Sequence, residues 1–292
     1  MHAVTGATGQ LGRLVIAALL KRVAPGEVIA LARDPANAAD LLELGIQLRP
    51  FDYDAPDRLV ASLEGVTRLL FISSDTPDTR LNQHRAVIDA TARVSPELIA
   101  YTSIIHADTN PISLAETHRE TERMIVASGL RHAILRNSWY IENYLLGAEA
   151  AIEHGVLLGS TGDGAISAAT RGDYAEAAAT VLTGSVSADR VYELAGDEAF
   201  TLSDVTAVLG EAAGRPVAYK DLPEAAYRDA LTGAGVPASF AAALAEYSAG
   251  AAGGTLADDS HTLSGLIGRP TETMRDVLLR ALRRPAGAEG AA

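Results

Sequence analysis

Short apolar runs alternate with amphipathic stretches along the first 136 residues. Residues 2–4, 27–32 (E-V-I-A-L-A), 46–50, 68–72 (R-L-L-F-I), 98–102 and 132–135 are too short for helices and read as strands, 27–32 as one buried on both faces. Between them, residues 10–21, 57–63, 81–94 and 114–128 read as helices. The pattern is clearest in the first, where Leu11, Leu14, Val15, Ala18 and Leu19 recur at helical spacing. This alternation predicts an α/β fold: a doubly wound parallel sheet of Rossmann type, helices on both faces, ligands outside the carboxyl ends of the strands near the switch of strand order.

Past residue 137 the pattern loosens. Residues 139–153, 173–182, 202–213 and 271–282 read as helices, the last with Thr271 as its N-cap, and 223–247 holds one or two more. Residues 191–195 (V-Y-E-L-A) read as a strand returning to the main sheet, and 217–220 as a shorter one. The glycine-rich segment 155–164 and the small-residue segment 249–259 read as loops. The expected organisation is a nucleotide-binding domain over 1–136, a smaller acceptor-binding lobe over 137–284, and a disordered Gly/Ala-rich tail over 285–292. There are no internal repeats.

Between the first strand and the first helix sit three glycines, Gly6, Gly9 and Gly12, spaced Gly-x-x-Gly-x-x-Gly. Glycine lets a backbone turn sharply and a ligand approach closely. The helix start beyond it offers unpaired N–H groups and the positive end of a dipole. Gly6, Ala7, Thr8, Gly9, Gln10 and Leu11 are therefore expected to cradle a pyrophosphate. About twenty residues on, where an NAD site carries an acid for the ribose hydroxyl, this chain carries Arg33, with Asp34 one residue too late. A guanidinium suits a 2′-phosphate, so NADP(H) is predicted over NAD(H). The other reading of Arg33 is stacking on the adenine of either cofactor. Ile72, Ser73 and Ser74 end the fourth strand, and Thr102 and Ser103 the fifth. They are expected to line the cofactor's path, with plain turns as the alternative.

Composition narrows the chemistry. The 292 residues are 48% apolar, enough for one large α/β domain or a domain with a lobe. A net charge of −13 argues against a nucleic-acid or membrane surface. No run reaches the length of a membrane span, and the N-terminus does not resemble a signal peptide, so a cytoplasmic protein is expected. The absence of cysteine removes thiolate catalysis and thiolate metal sites, and no His/acid grouping has metal spacing. Lys21 and Lys220 are the only lysines. The Tyr-x-x-x-Lys pair that relays a proton in many short-chain dehydrogenases is therefore missing. Its slots fall near Leu114 and His118.

The blocks T-G-A-T-G-Q-L-G (5–12), L-F-I-S-S (70–74), I-A-Y-T-S (99–103), L-R-N-S-W-Y (135–140), E-N-Y (142–144) and L-I-G-R-P-T (266–271) resemble the NmrA-like atypical short-chain reductases, most of all the bacterial type 2 NAD(P)H:quinone oxidoreductases, with triphenylmethane dye reductase as a sibling. The resemblance implies NADPH at the glycine turn and Arg33, and direct hydride transfer to a quinone without the Tyr/Lys pair. A quinone accepts hydride readily, so the protein's task is to position it and exclude water.

Asn137, Trp139, Tyr140, Asn143 and Tyr144 follow the sixth strand at the ligand edge and are the expected acceptor residues. Tyr140 and Tyr144, four apart, are expected on one helical face for stacking, and Asn137 as a donor to a carbonyl. Trp139 and Tyr144 read equally as core anchors. His118 reads as a partner of a ribose hydroxyl, a proton donor, or a solvent-facing histidine. Asn137, Tyr140 and His118 are the expected catalytic set. Gln83 is a weaker candidate, His84 and His106 read as structural or exposed, and Arg171 as a surface ion pair or, in its other reading, a side chain reaching the pocket. The partner is a small quinone-like molecule, and the protein a monomer or homodimer. The rival function is an NADP(H)-binding redox sensor acting on a protein partner. A further option keeps the enzyme and takes a dye, an enone or an imine as acceptor.

Overall fold

The computed structural model describes residues 1–76, 78–184 and 189–283. The tail expected over 285–292 lies outside the described residues. The strands are β1 (His2–Val4), β2 (Val28–Ala32), β3 (Gln47–Pro50), β4 (Arg68–Phe71), β5 (Leu98–Ile104), β6 (His132–Asn137), β7 (Val156–Gly159), β8 (Arg190–Leu194) and β9 (Ala218–Asp221). The helices are α1 (Gln10–Leu19), α2 (Ala39–Leu42), α3 (Pro56–Ser62), α4 (Arg80–Val94), α5 (Ser113–Ala127), α6 (Ala148–His154), α7 (Arg171–Thr183), α8 (Leu202–Ala213), α9 (Glu224–Gly233), α10 (Ala238–Ala251), α11 (Thr262–Ile267) and α12 (Met274–Leu282).

Seven strands form one parallel sheet in the order β3-β2-β1-β4-β5-β6-β8. Successive side chains take opposite faces. Ala3, Ile29, Leu31, Leu69, Phe71, Ile99 and Tyr101 pack against α3, α4 and α5. Val4, Ala30, Ala32, Leu70, Ala100 and Ala133 pack against α1 and α7. That second face is rich in alanine, and so is α7, with Ala175, Ala177, Ala178 and Ala179 buried. Small against small brings α7 close to both the sheet and α1. A third core, built on α6, α8 and α12, reaches Ile104 and Ile105 at the carboxyl end of β5 and so caps that edge.

The chain crosses between the two halves more than once. After β6 it enters the third core, returns through α7 and β8 to the sheet, and leaves again through α8. The expected return of residues 191–195 is therefore found, shared with a helix that sequence alone did not place on the sheet.

Four local expectations are corrected. Residues 156–159 are a strand, not a loop: β7 pairs in parallel with β9, Val156 opposite Ala218. Gly159 serves packing there, since a Cβ would sit 2.6 Å from Leu202 and 3.1 Å from Tyr219. Residues 139–153 are not one helix: a 3₁₀ turn (Ile141–Leu145) is separated from α6 at Gly147. The last helix is capped by Thr273, whose hydroxyl accepts from Asp276 N at 3.1 Å, while Thr271 binds Asp197 instead. Within 249–259, α10 runs on to Ala251, and Leu256 is buried with its carbonyl accepting from Ser167 N at 3.0 Å.

Candidate active site

Strand order reverses between β1 and β4, and the turns after these two strands meet there. Gly6 has φ +58°, and a Cβ on it would lie 3.7 Å from Ile72 Cβ. Thr5 Oγ1 accepts from Ile72 N at 2.9 Å. The Tyr53 hydroxyl lies 2.6 Å from Thr5 Oγ1 and 3.0 Å from the Ile72 carbonyl. Thr5 and Tyr53, which sequence reading passed over, therefore pin the two turns together. Gly6, Thr8, Gly9 and Gln10 are exposed, whereas Ala7, Leu11 and Gly12 are buried. The first backbone bond of α1 runs from Arg13 N to Gly9 O at 3.0 Å. The N–H groups of Gln10, Leu11 and Gly12 are left without an intrahelical partner. This bare, donor-rich turn fits a pyrophosphate.

Arg33 follows β2 directly. It is exposed and has no hydrogen bond or ion pair among the described residues. Asp34 is committed locally: one carboxylate oxygen accepts from Ala36 N at 3.0 Å and the other from Asn37 Nδ2 at 2.9 Å. The cation is thus available beside the glycine turn and the neighbouring acid is not.

Three of the expected cofactor and catalytic residues already hold protein partners. Ser74 is used up. Its N–H donates to His84 Nε2 at 2.9 Å, its hydroxyl donates to Gln83 Oε1, and its carbonyl accepts from Arg80 Nε at 2.8 Å. Gln83 in turn donates to Asp54 at 3.0 Å. Ser103 donates to Glu122 Oε1 at 2.5 Å. His118 is 5% exposed and sits 2.8 Å from the Tyr101 hydroxyl. Burial first, then the Arg80 charge, holds His118 well below the usual histidine range. It is neutral at pH 7 and supplies no imidazolium proton. Ser73 keeps a hydroxyl without a protein partner, while its N–H donates to Thr102 Oγ1 at 3.0 Å and ties the ends of β4 and β5 together.

Beyond β6 the geometry again differs from a single helical face. Tyr140 is extended, and Tyr144 belongs to the 3₁₀ turn. The Tyr140 ring lies between the edge of Tyr174, at 5.5 Å, and the Arg171 guanidinium, 4.4 Å from its centroid. Arg171 does form an ion pair, with Glu142 at 3.3 Å, but a half-buried one, and it also donates to Asn143 Oδ1 at 2.9 Å, so that amide oxygen is committed. Tyr144 packs on Phe200 at 5.5 Å in the third core, and Trp139 on Tyr247 of α10 at 6.3 Å. Asn137 is 5% exposed, and its Oδ1 is buried without a partner. A buried acceptor left unpaired costs about 1–3 kcal/mol, so a ligand N–H or O–H that donates to it gains from the contact.

Arg136, unread in the sequence, anchors this edge. It binds Glu122 through two bonds at 2.9 and 2.5 Å, Asp108 at 2.8 Å and Glu193 at 2.9 Å, joining α5, β6 and β8. Burial alone would lower its pKa, but these hydrogen bonds outweigh burial and raise it. In β6, Arg136 and Asn137 point to opposite faces, so the ion cluster on one side fixes the amide on the other.

A sequence profile described as NAD(P)H-binding matches residues 6–184. The chain is 48% identical over 276 residues to Quinone oxidoreductase 2 of Escherichia coli (strain K12), spanning 94% of this chain and 96% of that protein. A crystal structure of NADPH-dependent quinone oxidoreductase QOR2 from Escherichia coli with NADPH superposes with a TM-score of 0.95 at 47% identity, covering 97% of this chain and 100% of the other. Citrobacter sp. triphenylmethane reductase complexed with NADP(H) gives a TM-score of 0.92 at 33% identity over the same shares of the two chains. The chain belongs to the NAD(P)H-binding family.

Proposed function

We propose that this protein is an NADPH-dependent oxidoreductase that reduces a quinone-type acceptor without a Tyr–Lys proton relay. The observation that carries the reading is an open glycine turn beside an Arg33 uncommitted among the described residues, with the lysine slot on α5 held by a neutral His118. The N–H groups of Gln10 to Gly12 hold the pyrophosphate, and Arg33 holds the 2′-phosphate. The Ile72 side chain and the Ser73 hydroxyl, which follow β4 on the other side of the turn from Arg33, border the path from the pyrophosphate toward the acceptor edge. When bound, the reduced nicotinamide supplies a hydride. Asn137 and the Tyr140 hydroxyl are the polar groups left to orient the acceptor, and the residues after 137 supply its side of the site. Trp139 and Tyr144 form the wall behind them.

The test is oxidation of NADPH against a panel of quinones, triphenylmethane dyes and enones, with NADH as control. Quinone-dependent oxidation of NADPH is expected. Tight NADPH binding with no turnover on any acceptor would instead favour a sensor. Arg33→Ala should weaken NADPH about 30-fold, roughly 2 kcal/mol for a charge-assisted contact, and leave NADH within a few-fold. Equal losses for the two cofactors would remove the 2′-phosphate assignment.

A further inference from the structure

Arg80 opens α4 and is 8% exposed. Its Nε donates to the Ser74 carbonyl at 2.8 Å and its Nη1 to Thr117 Oγ1 at 3.3 Å. It forms no ion pair among the described residues. Arg136, buried to the same degree, has three carboxylates. Acids on neighbouring segments are engaged elsewhere. Asp54 takes Gln83, Glu122 takes Arg136, and Glu246 takes the N–H and hydroxyl of Ser113 at 2.9 and 2.8 Å. Asp75 and Asp78 are exposed on the turn before the helix.

Two physical costs coincide at this residue. A buried cation without a counter-ion is unfavourable. A cation in the first turn of a fifteen-residue helix also faces the positive end of the helix dipole, and that turn holds no acid to offset it. Its surroundings place these costs at the site. The Ser74 carbonyl that it binds follows Ser73 at the end of β4, and Thr117 stands next to His118 on α5, so both of its partners lie beside residues of the expected site. Helix α5 packs against both α4 and α10, and Tyr247 of α10 packs against Trp139 after β6.

We propose that Arg80 is a catalytic residue whose guanidinium takes up the negative charge developing on the acceptor oxygen; this rests on the quinone-reductase reading above. As hydride joins one quinone oxygen, the ring becomes aromatic and an electron pair is left on the other oxygen. The quinone is reduced to the hydroquinone monoanion, the nicotinamide is oxidised, and a proton from water completes the hydroquinone. A fixed donor aimed at that charge, shielded from water, is the most effective form of such stabilisation. A cationic triphenylmethane dye is different: hydride cancels its charge, so Arg80 only repels it.

The test compares wild type with Arg80→Gln and Arg80→Lys on a neutral benzoquinone and a cationic triphenylmethane dye. The ratio of kcat on quinone to kcat on dye should fall about 100-fold in Arg80→Gln and be largely restored in Arg80→Lys. A ratio that does not move, with both activities falling together, overturns the proposal and leaves Arg80 as a brace for Ser74. A wild type inactive on quinones overturns the underlying function instead. A second readout needs no turnover: 4-nitrophenol titrated into the enzyme loaded with NADP+. Its phenolate absorption should appear at lower pH in wild type than in Arg80→Gln. Coincident titrations would count against the assignment.

Discussion

Gly12→Ala is expected to cost about 3 kcal/mol of stability and to abolish NADPH binding, whereas Gly9→Val should abolish binding alone. A Cβ on Gly12 would lie 2.2 Å from Gly6 O and 2.9 Å from Ala7 Cα. Both are backbone atoms, so no side-chain rotation relieves the overlap. Either α1 retreats from the turn, against its packing on α7, or the turn deforms around Gly6, whose φ of +58° suits few residues but glycine. At Gly9 a Cβ meets only Gly6 O, at 3.3 Å, and the backbone is extended at φ −75°, ψ 166°. Valine fits that conformation, and its methyl groups project over the exposed turn where the pyrophosphate must approach. Thermal melting with and without NADPH separates the two effects, because a ligand that binds only the folded state raises the midpoint. Gly12→Ala should melt early and ignore NADPH, and Gly9→Val should melt near wild type and also ignore it. A Gly9→Val protein still stabilised by NADPH would remove the pyrophosphate from this turn.

The same glycines show what could be read from sequence. The turn, the strands of the first half and the strand at 190–194 are specified locally, by spacing and by short apolar runs, so they were legible. Arg33 was legible for the same reason: its place is fixed by counting from the turn along one strand. The acceptor edge was not, because its side chains are committed by residues far away in the chain. Whether Ser103 is free depends on Glu122, and whether Asn143 is free depends on Arg171. Tyr140 and Tyr144 mislead for a simpler reason: a four-residue spacing puts two side chains on one face only inside an α-helix, and Tyr140 lies just before a 3₁₀ turn. Arg80 and Arg136 are indistinguishable among twenty-two arginines until their partners, or the lack of them, are known. The one signal available for Arg80 was its position at the start of a helix with no acid in its first turn.

Acid should unfold this protein well above the carboxylate range, through two buried histidines. Ser74 N–H donates to His84 Nε2, so the ring proton must sit on Nδ1, which donates to Thr121 Oγ1 at 2.8 Å. Thr121 passes its own proton to the Thr117 carbonyl at 2.8 Å. This chain of bonds is satisfied only by a neutral ring. Burial, and then the Arg80 charge, push the His84 pKa down from 6.5 to about 3. His118 moves in the same direction for the same two leading reasons. Above pH 6.5 both rings are neutral whether the chain is folded or not, and their contribution to stability is fully present. Below it, the unfolded chain binds protons that the folded chain refuses, so stability falls as the pH drops toward 3. Each histidine should contribute a slope of about 1.4 kcal/mol per pH unit, roughly 2.7 for the pair. Asp108 and Asp258 have carboxyl pKa values below the usual 3.8, so their losses come at lower pH and leave the window from 6 to 4.5 to the histidines. Urea unfolding midpoints across that window measure the slope. His84→Gln and His118→Gln should each remove about 1.4 kcal/mol per pH unit of it, whatever they do to stability at pH 8, and His2, whose pKa burial also lowers, adds to what remains. Slopes that match wild type in both variants would mean that these rings are protonated in the folded protein, and the neutral hydrogen-bond chain beneath the β4–β5 edge would have to be abandoned.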